Sequence, residues 1–492
     1  MTNWTAIVMA AGHGTRMKSS LPKVLHEAAG RPLVYYPVRA ALDAGAVHVV
    51  VVVNPSTREG IEVALAKHLP GASISIALQV EPRGTGDATR AGISNVETEN
   101  VLVLSGDTPL LTRADLMPLA ARLVDGDRPA LCFATFVVSD PTGYGRVLRD
   151  TAGKVTEIRE HRDLENDEQR SVREVNAGLY AARTAELRTA LAGLKPNNAQ
   201  GEYYVTDVVA ALAKNGPVHA LVADESSLAG VNDRAQLHDV EQVLFSRIRD
   251  GWAKSGVTVR GRPLIDENVS IGIDAVIEDG VRLRGRTTIG RGAVVDVGTV
   301  VDNSSVGEEA FVKPYSVITD STVGARAQIG PFAHLRPEST IEDEAHIGNF
   351  VETKKTIVRR GAKANHLAYL GDGDVGEKAN LGAGTIFCNY DGFQKHRTII
   401  GAGAFVGSDS QLIAPVHVGA GAYVATGTTL TEDVPQDGFA IGRARQVTKP
   451  DYASKLRGRL RAEAAAAKAA TRESNAPKTG ESNPPKKTDS AL

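Results

Sequence analysis

The chain has 492 residues, more than one hydrophobic core accommodates, so two or three domains are expected. With 56 Lys and Arg against 58 Asp and Glu the net charge is −2, and no apolar run reaches membrane-spanning length, so neither nucleic acid nor a membrane is expected as a partner. Two cysteines far apart, Cys132 and Cys388, and a start that runs into a strand with no signal peptide lead us to expect a reducing, cytoplasmic location.

Residues 5–9 read as a buried strand that empties into Ala10-Ala11-Gly12-His13-Gly14-Thr15-Arg16-Met17. Further strands are expected at 47–53, 101–104 and 131–136, separated by helical stretches such as 32–44. That alternation predicts a Rossmann-like, mostly parallel doubly wound sheet, which binds ligands beyond the carboxyl ends of its strands. The glycine loop follows the first strand, where backbone N–H groups can hold phosphate. Arg16 and, in Leu21-Pro22-Lys23, Lys23 put two cations where a triphosphate would lie. The glycines do not fall as G-x-G-x-x-G, and G-x-x-x-x-G-K-[ST] is absent, which argues against dehydrogenases and P-loop enzymes. Ser105-Gly106-Asp107 follows the 101–104 strand, so its carboxylate is expected at the same end of the sheet. A hard cation bound mainly to phosphates needs few protein oxygens.

Leu237, Val240, Leu244 and Ile248 recur at helical spacing, which makes 234–253 an amphipathic connector. Beyond it an aliphatic residue returns every sixth position: Ile265, Ile271, Ile277, Leu283, Ile289, Val295, Val301, then after single slips Val306, Val312, Ile318 and Val323, Ile329, Leu335, Ile341, Ile347. The register resumes at Ile400 and runs through Val406, Leu412, Val418, Val424 and Leu430. Neither a period of 3.6 nor one of 2 yields six. Small residues four places after the aliphatic (Ala275, Thr287, Ala293, Thr299, Ala310, Ser316) and glycine directly after it fit a left-handed parallel β-helix of hexapeptide repeats. One coil buries three aliphatic side chains at roughly 2 kcal/mol each, against about 1–2 kcal/mol of backbone ordering per residue. Coil-to-coil ladders must therefore supply the rest, and three flat outer faces lend themselves to a homotrimer. Between Phe387 and Thr398 aromatic and basic residues break the repeat, and such a loop on a regular scaffold is where a site is expected. Past Pro450, 452–472 is rich in Ala, Arg and Lys and reads as helical, and 474–492 reads as disordered. The expected layout is a doubly wound domain over 1–232, a linker helix over 233–256, a β-helix domain over 257–447 and a tail over 448–492.

The glycine-loop run through Lys23 resembles the signature of sugar-phosphate nucleotidyltransferases. The resemblance implies that Met9, Ala10, Ala11, Gly12 and Lys23 bind a nucleoside triphosphate, and that Arg16 and Lys23 stabilise charge as pyrophosphate leaves. It implies Mg²⁺ on Asp107, flanked by Ser105 and Gly106, and on Asn232 of Val231-Asn232-Asp233-Arg234. Read as residues alone, Asp107 could instead cap a helix or turn, and Asn232 the helix after it. By the same resemblance Gln79, Gly84 and Thr85 take the uridine, and Gly145, Glu160 and Asn176 hold the sugar. Asn198-Ala199-Gln200-Gly201-Glu202-Tyr203-Tyr204 is particular to the branch making UDP-N-acetylglucosamine.

Within the solenoid, Arg336, Lys354, His366, Tyr369, Asn380, Asn389, Tyr390 and Lys395 exceed what a scaffold needs. The segments around Arg336, Lys354, His366 and Asn389 are similar to those of the bacterial bifunctional N-acetylglucosamine-1-phosphate uridylyltransferase/glucosamine-1-phosphate N-acetyltransferase family, and the match extends over about residues 3–447. It implies that His366 takes the amine proton, histidine being the side chain that titrates nearest cytosolic pH. Arg336, Lys354 and Lys395 would bind the sugar phosphate, and Tyr369, Asn380 and Asn389 would orient the sugar. Ala383, Asn389, Tyr390, Ser408, Thr426 and Arg443 would line an acetyl-CoA groove. Thr426 stands where relatives can have alanine, and Asn365 where glycine can occur. The substrates implied are glucosamine 1-phosphate, N-acetylglucosamine 1-phosphate, UTP and acetyl-CoA, with a product that feeds peptidoglycan synthesis. The rival readings are a monofunctional sugar-1-phosphate nucleotidyltransferase whose β-helix only oligomerises, and a non-catalytic assembly subunit.

Overall fold

The structure is a computed structural model and describes residues 3–12 and 14–474. His13 of the glycine loop, and the stretch read as disordered except for its first residue, lie outside the described residues. The chain divides into two compact units, 1–441 and 442–492. The second contains the helix Tyr452–Ser474, where a helix is expected.

The first unit begins with a nine-stranded sheet. Its spatial order is Val218–Val222, Leu131–Val137, Glu174–Arg183, Asn100–Ser105, Trp4–Met9, His48–Val53 and Ile74–Leu78, with Arg146–Arg149 and Val155–Arg159 attached at its side. Only Glu174–Arg183 and that short pair run antiparallel to their neighbours. The central strands are apolar on both faces because helices cover both. Ala6, Val8, Val49, Val51 and Leu102 enter one core cluster, whereas Ile7, Val50, Val52, Val101 and Val103 enter the other. The first helix spans Tyr35–Asp43, starting later than expected because Arg31–Pro32 pairs with Glu27–Ala28 in a hairpin.

Helix Arg234–Lys254 follows. Its stripe packs as expected: Val240 and Leu244 are buried in the sheet's core, and Ile248 touches both that core and the core of the solenoid. From Thr258 the chain winds into a left-handed parallel β-helix whose three ladders hold eleven, ten and nine strands. The aliphatic residues at the sixfold positions point inward and are buried, as are the small residues between them. Glycine after the aliphatic lets coils stack: a Cβ on Gly307 would lie 2.6 Å from the Ala325 nitrogen of the next coil. The gap in the register between Ile347 and Ile400 is not a gap in the solenoid. Thr353, Val358, Ala364, Leu370, Val375, Leu381 and Phe387 fill the inward positions there, two of them too small or too polar for the pattern to be seen. The one insertion falls after Phe387, where expected: Tyr369 pairs with Ile386, but Ile386 pairs with Gln411.

Candidate active sites

At the carboxyl end of the N-terminal sheet a cavity of about 320 Å³ is lined by Met9, Ala10, Ala11, Gly12, Lys23, Gln79, Gly84, Thr85, Ser105 and Asp107, ten of the residues singled out from the sequence. Glu202, from the run 198–204 quoted above, also lines it, as does Pro82, which was not singled out. A larger cavity of about 940 Å³ on the same domain contains none of the expected site residues, so size alone does not mark the site. Strand order brings these groups together: Trp4–Met9 and Asn100–Ser105 are parallel neighbours ending at the same level, with Met9 opposite Ser105. Gly106 N donates to Met9 O at 2.9 Å, which fixes the start of the Asp107 turn. Gly14 allows the close approach of Lys23, whose ammonium pairs with Asp107 Oδ2 inside the cavity. Ser105 Oγ donates to Asp107 Oδ1 at 2.6 Å.

Asn232 lies outside the cavity lining but is tied to it. Val231 N donates to Asp107 O (2.8 Å), and Asn232 Oδ1 accepts from Arg16 Nη2 (2.8 Å). Neither Asp107 nor Asn232 is a helix cap. Thr112 caps Arg113–Val124, and Asp233, accepting from Ala235 N and Gln236 N, caps Arg234–Lys254. A carboxylate and an amide oxygen, each already facing a cation, form a hard donor pair suited to a metal that arrives with phosphates.

The end of the cavity lined by Gln79, Gly84 and Thr85 is braced by the stretch 198–206. Tyr203 N donates to Arg83 O (2.8 Å), Gly86 N to Tyr203 O (2.7 Å) and Val205 N to Thr85 Oγ1 (3.0 Å). Gly84 has φ +103°, and a Cβ there would lie 2.5 Å from Tyr203 O, so this seam requires glycine. Gln79 is fixed by donating to Gly84 O and Asp87 Oδ2, each at 3.0 Å. Gly145, Glu160 and Asn176 gather beside each other: Asn176 N donates to Gly145 O (2.9 Å), and a Cβ on Gly145 would lie 3.3 Å from Glu160 Oε1. Glu160 accepts from Thr206 Oγ1 (3.0 Å), and burial pushes its carboxyl above the usual range. Thr206 was missed because the sequence reading ended at Tyr204, two residues short.

On the β-helix, His366 ends the strand Lys363–His366 and is exposed. Its Nδ1 lies 2.6 Å from Oδ1 of Asn349, the residue directly opposite in the ladder. With an amide oxygen as partner, Nδ1 carries the proton and Nε2 keeps its lone pair, an assignment made from the hydrogen-bond network. Asn349 was not singled out from the sequence.

One ladder away, Arg336 donates to Glu352 Oε1 (2.7 Å), and Glu352 stands opposite Tyr369. The neighbouring Lys395, with Arg336 adding to its effect, holds the Lys354 ammonium below the ordinary lysine range. Asn389 is buried and donates to Asp372 Oδ2 (2.5 Å). It converges with the Tyr369 hydroxyl over Gly371, where a Cβ would lie 2.6 Å from both. Lys395 rides on the inserted loop, bridged to the exposed Tyr390. Asp391 shapes that loop: hydrogen bonds from Gln394 N, the His396 ring and Phe393 N hold its carboxyl far below the usual range. Asn380 follows Lys363 in the His366 ladder.

Ala383, Ser408 and Thr426 fall on successive coils. A Cβ on Gly382 would lie 2.5 Å from Ser408 N, and one on Gly407 2.4 Å from Thr426 N. Asp409 N donates to Ala383 O, and Gly427 N to Ser408 O. Arg443 is exposed and belongs to the second unit.

Comparison with known proteins matches a MobA-like NTP transferase domain over residues 6–173. The chain is 58% identical over 465 residues to the bifunctional protein GlmU of Sorangium cellulosum, covering 94% of this chain and 98% of that protein. It is 48% identical over 470 residues to the bifunctional protein GlmU of an Anaeromyxobacter strain (94% and 95% covered) and 43% identical over 458 residues to that of Trichlorobacter lovleyi (92% and 98%).

Proposed function

The chain belongs to the GlmU family of bifunctional proteins, and we propose that its two constellations act in series. It is an acyltransferase and a nucleotidyltransferase of UDP-N-acetylglucosamine synthesis, the precursor supply of the cell wall. The β-helix acetylates glucosamine 1-phosphate with acetyl-CoA; the N-terminal domain then transfers UMP from UTP to N-acetylglucosamine 1-phosphate and releases pyrophosphate. Residues 1–232 serve as the uridylyltransferase, 233–256 as the connecting helix, 257–447 as the acetyltransferase and 448–492 as a tail.

In the first reaction Arg336, Lys354 and Lys395 neutralise the sugar phosphate, while Tyr369, Asn380 and Asn389 orient the ring. The amine nitrogen attacks the thioester carbonyl, His366 Nε2 takes its proton, and the C–S bond breaks to release the coenzyme thiolate. Asn349 keeps the imidazole in the tautomer this requires. Ala383, Asn389, Tyr390, Ser408 and Thr426 line the coenzyme groove. In the second reaction a phosphate oxygen of the sugar attacks the α-phosphorus of UTP in line, and the bond to the pyrophosphate oxygen breaks. Lys23 and Arg16 stabilise the departing charge. Met9, Ala10, Ala11 and Gly12 hold the triphosphate beside Ser105 and Gly106. Gln79, Gly84 and Thr85 take the uridine, and Gly145, Glu160 and Asn176 the sugar. Asp107 and Asn232 would hold Mg²⁺, which when bound draws charge off the triphosphate.

The reading rests on the convergence of the Tyr369 hydroxyl and the Asn389 amide over Gly371, beside Arg336, Lys354 and Lys395, which are one another's close charged neighbours. A β-helix that served only to oligomerise has no use for cations held against each other. Purified protein given UTP, acetyl-CoA, Mg²⁺ and glucosamine 1-phosphate should yield the UDP-sugar, free thiol and pyrophosphate together; acetyl-CoA left unconsumed would favour the monofunctional reading. We further infer a cytoplasmic homotrimer. Both cysteines are free, and among the described residues no helix is long and apolar enough to cross a membrane. A monomeric mass by light scattering would contradict the trimer.

A further inference from the structure

Neither reaction uses the cluster around Glu267, in the first coil of the β-helix. Glu267 N donates to Ala29 O (3.0 Å), its Oε2 accepts from Arg31 Nε (2.6 Å) and its Oε1 from Tyr35 Oη (2.9 Å). The Arg31 guanidinium lies 4.8 Å over the Tyr35 ring and also meets His68 Nδ1. Ala29 N is taken by Glu241 Oε1 of the connecting helix (3.3 Å). All three contacts of Glu267 fall on the hairpin formed by Glu27–Ala28 and Arg31–Pro32 or on the residues just after it. That hairpin is rooted on the turn of Lys23: Leu33 N donates to His26 O (2.9 Å) and Val34 N to Val24 O (3.0 Å). A continuous ladder therefore runs from Glu267 to the residue after the ammonium that points into the nucleotide cavity.

The hairpin does not need Glu267 to stay attached, because Ala28, Ala29, Leu33 and Val34 are fully buried in the N-terminal core. What the carboxylate adds is direction: it clamps the hairpin tip to a coil of another domain, with the Arg31 side chain 14% exposed. We propose that Glu267 is a positioning residue for uridylyl transfer, which sets the place of Lys23 and makes the first coil of the acetylating domain part of the uridylyl scaffold. The inference rests on Lys23 gripping the triphosphate.

The test is steady-state kinetics of both reactions on full-length Glu267→Ala, Tyr35→Phe and Lys23→Ala, with thermal unfolding alongside. In Glu267→Ala the KM for UTP should rise on the order of tenfold, with KM for N-acetylglucosamine 1-phosphate and the acetyl-transfer rate unchanged. Tyr35→Phe, which deletes one hydroxyl, should give a smaller rise in the same parameter. A KM for UTP within about twofold of wild type in both, with uridylyl transfer lost in Lys23→Ala, overturns the inference and leaves the role of Lys23 standing. Unchanged kinetics in Lys23→Ala would remove that role and the inference with it. If Glu267→Ala does not fold, Tyr35→Phe and Glu267→Gln decide by the same criterion.

Discussion

Gly14→Ala offers a sharp test of how Lys23 is placed. Gly14 heads the turn Thr15–Met17 at φ 59°, ψ 38°, a conformation that costs an L-residue about 1–2 kcal/mol. An alanine Cβ would also lie 2.4 Å from Lys23 Cβ. Carbon atoms rest about 3.5–4.0 Å apart, so one of the two must retreat by about 1 Å. Gly14 is only half-buried, but the turn it heads carries Met17 into the sheet's core, so the neighbour that yields is Lys23 and the damage should fall on catalysis. A displacement of about 1 Å in a group that grips a reacting triphosphate costs on the order of a hundredfold, which is about 2.7 kcal/mol of transition-state stabilisation. The assay is pyrophosphate release from UTP and N-acetylglucosamine 1-phosphate, with thiol release from acetyl-CoA as the control on the same preparation. A kcat/KM for uridylyl transfer within about twofold of wild type, or an equal fall in acetyl transfer, would refute the reasoning.

Asp107→Ala should abolish uridylyl transfer and spare acetyl transfer, and His366→Ala should do the reverse; loss of both activities in either folded variant would mean that the sites are not independent. Chelation of divalent cations should stop pyrophosphate release while leaving thiol release unaffected, and equal inhibition of the two would remove the metal from the nucleotidyl site alone. Because Lys395 holds Lys354 below the ordinary lysine range, Lys354 loses its charge earlier as pH rises, so KM for glucosamine 1-phosphate should climb on the alkaline side. Lys395→Ala should raise that KM at neutral pH yet shift the climb to higher pH, and a climb that stays in place or moves to lower pH would show that the two ammoniums do not interact.

The solenoid was legible because its inward positions tolerate so little: an aliphatic every sixth residue, a small residue between, and glycine where the next coil's backbone passes within 3 Å of a would-be Cβ. It became illegible where Thr353 and Ala364 took inward positions, since neither carries the hydrophobic signal though both are buried. The glycine loop, Lys23 and Asp107 were legible for a related reason, as parallel strands end at one level and their loops share an edge. What the motif reading lacked were the partners that orient the expected groups, Asn349 for His366 and Thr206 for Glu160.

Those partners differ in kind. In the β-helix the missing one could have been found, because stacked coils bring residues 17 or 18 apart into register: Asn349 meets His366 and Asp372 meets Asn389, each 17 positions on. Once the coil length is known, the neighbour of any site residue follows by counting. Counting fails at Lys395, whose loop has left the ladder and is shaped by Asp391 accepting from Phe393, Gln394 and His396. It fails equally at Thr206, which meets Glu160 across 46 residues of non-repeating chain. The ladder residues of the proposed acetyl site are thus fixed by a regular scaffold, and Lys395 by the inserted loop, so substitutions that reshape the Asp391 turn should alter the proposed grip on the sugar phosphate while leaving the His366–Asn349 contact in place.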